Sequence, residues 1–103
     1  MWFRQPLAGW NGRFFHSDRM TFAYYEVDAD AVAIHEHHHS REEVWNVVEG
    51  KLAITIDGQE HIVGPGCAAI VPANTRHSTP ALAASRAIVV DHAVRDQVGG
   101  IAT

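Results

Sequence analysis

"HEHHHSREEVWNVVEG", from His35 to Gly50, places four histidines in five positions, then two glutamates, then an alternating apolar run. Side chains alternate along a strand, so residues two apart share a face. Read as a strand, 31–39 puts Ala31, Ala33, His35, His37 and His39 on one side. Glu36 and His38 then take the other side, with Val32 and Ile34. On the next run, 43–50, Glu43, Trp45 and Val47 form a set. A His-x-His pair on one strand and a carboxylate at the start of its neighbour can converge on one point. Neutral imidazole nitrogens with a charged oxygen are the donor set of a divalent transition metal. A solvated, imidazole-rich loop is the competing reading, and this stretch alone leaves both open.

Working outward, short strand-like runs separated by turn residues recur on both sides. They are 20–27, 31–39, 43–50, 51–57, 59–63, 67–72 and 85–94. Asp57-Gly58 between alternating apolar positions is the strongest hairpin signal, because both residues tolerate positive φ. Seven or so short strands with Gly, Asp and Pro turns predict an all-β sandwich or barrel. Residues 1–18 read as an N-terminal aromatic arm of the same domain, carrying Trp2, Phe3, Trp10, Phe14 and Phe15 and packing across the barrel or a partner subunit. The barrel proper is 19–103, and the tail 96–103 is expected to fray.

With 103 residues the chain is the size of one domain, and 47% hydrophobic residues suffice for a core. A net charge of −4 with no basic cluster argues against nucleic acid or an anionic membrane surface as partner. Cys67 is the only cysteine, so no intrachain disulfide forms; its apolar surroundings predict a buried, inert thiol. No stretch has signal-peptide or membrane-span character, so a cytoplasmic location is expected. Nucleophile elbows, phosphate loops and Cys-rich metal motifs are missing from the sequence. His16, His61 and His92 have no partners by spacing, and Arg76 is expected at the surface.

A second block, "GPGCAAIVPANTRHSTP" (64–80), bears on the open question. Together the two blocks resemble the cupin superfamily of small β-barrels. The family's first block reads G-x5-H-x-H-x3/4-E-x6-G, which His37, His39, Glu43 and Gly50 fit. The second reads G-x5-P-x-G-x2-H-x3-N, which Gly66, Pro72 and His77 fit. Asn74 stands where Gly is usual, and Asn also takes left-handed turns readily. Ala31 and Ala81 replace the opening Gly and the closing Asn, neither of them a ligand in the family.

The resemblance implies a double-sheet jelly roll with one divalent transition metal ion (Fe, Mn, Ni, Zn or Cu) inside its mouth. Carried over by position, His37, His39, Glu43 and His77 are the ligands. His35, Trp45 and Val47 then line the pocket, and His38 points outward. The implied function is a metal-dependent oxygenase of dioxygenase type on a small chelating organic substrate, with Glu43 able to act as a base. A non-catalytic small-molecule sensor and a metal-independent isomerase are the alternatives. A homodimer is expected from the exposed sheet edges and from the family's habit.

Overall fold

The computed structural model describes residues 2–31, 34–35 and 42–91, and every regular element among them is a strand. Turn residues interrupt the chain before a helical period can build, and aromatic and β-branched residues fill the intervals. In chain order the strands are β1 (Trp2–Leu7), β2 (Trp10–His16), β3 (Thr21–Val27), β4 (Ile34–His35), β5 (Glu43–Glu49), β6 (Leu52–Ile56), β7 (Gln59–Val63), β8 (Ala68–Val71), β9 (His77–Thr79) and β10 (Ser85–Asp91). All pairings are antiparallel. One sheet runs β1-β2-β3-β10-β5-β8 and the other β4-β9-β6-β7, so from β5 onward the chain passes back and forth between sheets. This is the jelly-roll architecture that the sequence predicts. Among the described residues no helix is long and apolar enough to cross a membrane.

Strands β3, β5, β6, β7, β8 and β10 fall where the alternation places them. Of the expected strand 31–39, only Ile34–His35 lies among the described strand residues. Three strands were not expected. β9 has three residues, too few to show a period. β1 and β2 form a hairpin around Gly9 (φ 85°), although Gly, Pro and Asn obscure their alternation. In β2 the period is nevertheless present: Trp10, Gly12 and Phe14 are buried, while Arg13 and Phe15 are exposed.

Register stacks the inward residues of the large sheet in rows. Thr21, Asp91, Glu43 and Val71 form one; Phe14, Ala23, Val89, Trp45 and Ala69 the next; Tyr25, Ala87 and Val47 a third; Trp10, Val27 and Ser85 a fourth. Leu52, Ile54 and Val63 close the core from the small sheet. Each fully buried large side chain contributes about 1.5–3 kcal/mol over its exposed state. The outer face carries a half-exposed ion-pair ladder. Arg13 and Arg86 each approach Glu26 at 3.8 Å, and Arg86 reaches Glu49 at 3.2 Å.

Two turns fix how strands hand over. Asp57 (φ 50°) and Gly58 (φ 82°) make the left-handed pair of a type I′ hairpin between β6 and β7. Gly50 (φ 86°) lies where β5 leaves for the opposite sheet, and a Cβ there would meet the Ala84 carbonyl oxygen at 2.3 Å. Cys67 corrects an expectation: it is exposed. It belongs to the turn before β8, its N–H donating to the Gly64 carbonyl at 3.1 Å, and β8 is the edge strand of its sheet among the described residues.

Candidate functional site

Glu43 begins β5 and His77 begins β9, one from each sheet, and both face inward. Glu43 is placed by the alternation that buries Trp45 and Val47 behind it. His77 is placed by the turn before β9, where Asn74 takes φ 58°, the left-handed conformation expected of it. Arg76, one residue before His77, is exposed, as alternation requires.

The two side chains meet inside the barrel. His77 Nε2 lies 3.4 Å from Glu43 Oε1, with residue exposures of 2% and 1%. His77 Nδ1 is 3.4 Å from the Thr75 carbonyl oxygen. The tautomer protonated at Nδ1 donates there and turns the Nε2 lone pair toward the carboxylate. Two lone-pair atoms facing each other in a dry interior call for a cation or a proton between them. Two donors each about 2.1 Å from a shared ion are about 3.0 Å apart at a right angle and about 3.4 Å apart at the tetrahedral angle. The pair therefore fits a common metal in donor chemistry and in separation.

Trp45, two residues along the same face, donates its indole Nε1–H to Glu43 Oε1 at 3.1 Å. Val47 is buried one step further in, next to the aromatic cluster. The backbone of His35 pairs with Ser78 of β9, immediately beside His77. His37, His39 and His38 lie outside the described residues. Among the described residues no group of three or more His, Cys, Asp or Glu side chains could hold a metal ion. What the structure displays is thus half of the expected ligand set.

Sequence reasoning passed over Asp91 and Thr21. Asp91 closes β10 and is directly opposite both Glu43 and Thr21 in register, only 5% exposed. Opposed residues on antiparallel strands hold their Cβ atoms about 4.5–5.5 Å apart, so two buried carboxylate residues are neighbours at this end of the barrel. The signal was available: counting by twos from Ala87 and Val89 puts Asp91 on the inward face. Of the other histidines, His61 is exposed on β7, and exposed His16 contacts the Ser17 carbonyl at 3.0 Å through Nδ1.

Comparison with known proteins agrees with the geometry. The family model described as "Cupin domain" matches residues 23–92, well over half of the chain. The chain belongs to the cupin family. KdgF from Halomonas sp. superposes with a TM-score of 0.83 at 23% identity, over 93% of this chain and 89% of that one. An RmlC-like cupin from Shewanella frigidimarina gives 0.82 at 19% identity, over 91% and 85%. A cupin-superfamily sugar phosphate isomerase from Silicibacter pomeroyi gives 0.71 at 21%, over 86% and 62%. At such identities the likeness is one of fold. No curated protein matches the chain by sequence.

Proposed function

We propose that this cupin binds one divalent transition metal through His37, His39, Glu43 and His77 and is a metal-dependent enzyme for a small chelating organic substrate. The observation that carries the reading is the buried contact of His77 Nε2 with Glu43 Oε1, supported by the match of both sequence blocks. When bound, such an ion supplies a Lewis-acid centre with open positions and, if redox-active, electron-transfer chemistry. The chain's own contribution is a set of inward donors, a dry aromatic floor beneath them, and carboxylates able to hold a proton beside the substrate. On the oxygenase reading Glu43 receives the substrate's acidic proton and steers the chelating oxygens.

Asp91 favours a second reading. A buried carboxylate opposite Glu43 is placed to move a proton between substrate carbons without net oxidation, the chemistry of an isomerase or related lyase. A sugar phosphate isomerase among the structural neighbours supports it as an analogy of fold.

The test is elemental analysis of tag-free protein, beside Glu43→Ala and His77→Ala. About one equivalent of metal in the wild type and loss in both variants is expected. Stoichiometric metal in either variant would overturn the ligand assignment. No metal in the wild type after reconstitution would leave a non-catalytic small-molecule-binding barrel or a metal-independent isomerase. Screening loaded protein with and without dioxygen separates the two reactions: oxygenation needs the gas, whereas proton transfer continues without it and exchanges substrate hydrogen with deuterated solvent.

A further inference from the structure

Glu43 Oε1 has two close neighbours: the indole N–H of Trp45 at 3.1 Å and His77 Nε2 at 3.4 Å. Trp45 is 1% exposed and stacks on Tyr25 (centroids 6.3 Å apart, planes 11° apart), with Trp10 meeting it edge-on at 6.1 Å. Trp10 and Phe14 in turn meet Tyr25 edge-on at 5.3 and 5.7 Å. Trp10 and Tyr25 thus hold the indole directly, with Phe14 behind Tyr25, and its N–H is aimed at one carboxylate oxygen.

A buried indole N–H needs an acceptor, and leaving it without one is costly. A glutamate side chain has three rotatable bonds, and a metal centre tolerates only about half an ångström of error in its ligands. The bond from Trp45 restricts that freedom. It also occupies one lone pair of Oε1.

We propose that Trp45 is a positioning residue for Glu43, its indole N–H setting the affinity and coordination mode of the metal centre. The inference rests on the metal-centre reading above. It goes further by assigning to a core tryptophan a role that packing alone does not give it. Outer partners of metal ligands typically change affinity 10–100-fold when removed.

Co2+ binding separates position from packing. Trp45→Phe keeps an aromatic ring and removes the donor; Phe14→Leu loosens the same cluster and leaves the donor in place. Trp45→Phe is expected to bind Co2+ 10–100-fold more weakly and to show altered visible absorption bands. Phe14→Leu is expected to melt earlier with the affinity and spectrum of the wild type. Equal losses in both variants, or an unchanged Trp45→Phe protein, would overturn the inference while leaving the metal centre standing. Failure of the wild type to bind Co2+ would overturn the metal centre itself. A measurement on the unmutated protein removes dependence on a folded variant. Saturation with Zn2+ should move the Trp45 indole proton–nitrogen signal, assigned through its contacts with Tyr25; a static signal would refute the link.

Discussion

Within one sheet face, on the same three central strands, two neighbouring regions are equally buried and chemically opposite. Across β3, β10 and β5 the end row reads Thr21, Asp91, Glu43; one step in, it reads Ala23, Val89, Trp45, and one further, Tyr25, Ala87, Val47. All of these residues are less than 10% exposed. Burial therefore does not select apolar side chains here; position along the strand does. An apolar row follows from the hydrophobic effect and needs no other reason. A row of two carboxylates and a hydroxyl is costly unless a partner or ligand stabilises it, and His77 faces it from the opposite sheet. The inner rows are scaffold, the end row is where we propose the chemistry lies, and Trp45 touches both.

The comparison can be broken from either side. Trp10→Ala strikes the scaffold, since Trp10 is fully buried against Tyr25 and Trp45. It should cost about 3–5 kcal/mol in urea-unfolding free energy. A loss below about 1 kcal/mol would show that the aromatic cluster is not the centre of the fold. Asp91→Asn probes the end row with little change of shape. It removes one of two opposed carboxylates, so the metal-free protein should change stability by no more than about 1 kcal/mol. Turnover should nevertheless fall at unchanged metal content; full activity would place Asp91 outside the chemistry and weaken the proton-transfer reading. The outer face supplies the smallest effect. Arg86→Ala removes half-exposed contacts to Glu26 and Glu49 and should shift unfolding by less than about 1 kcal/mol, the shift shrinking further in salt. A larger change would mean that the exterior ladder, not the interior rows, holds β3, β10 and β5 in register.

Much of this was legible in the sequence for a local reason. β3, β5, β8 and β10 alternate cleanly, and Asp57-Gly58 announces its hairpin, since those signals depend on neighbours one or two residues away. Glu43 and His77 were identified through spaced motifs, and the structure brings them into contact. Asp91 and Thr21 were harder to see because their meaning is long-range: Asp91 is an ordinary strand-end residue until pairing sets it between Glu43 and Thr21. β1 and β2 were masked by Gly9, Gly12 and Pro6, which weaken the alternation that marks a strand. The exposure of Cys67 depends on β8 being an edge, a property of sheet order that no local window contains.

The place of β10 between β3 and β5 has a consequence for how the chain reaches this state. β3 is complete at Val27, but the strand that covers its open edge begins only at Ser85. Residues 21–27 and 85–91 must meet before the large sheet is continuous, so loop closure precedes much of the reward and folding should be slow for a domain of this size. During synthesis the hairpin bearing Trp10 and Phe14 emerges long before β10 and waits for it with its apolar face uncovered. A ribosome stalled before β10 would thus present an unpaired β3 edge and an exposed aromatic face, the form of this protein most prone to aggregate and most in need of a chaperone.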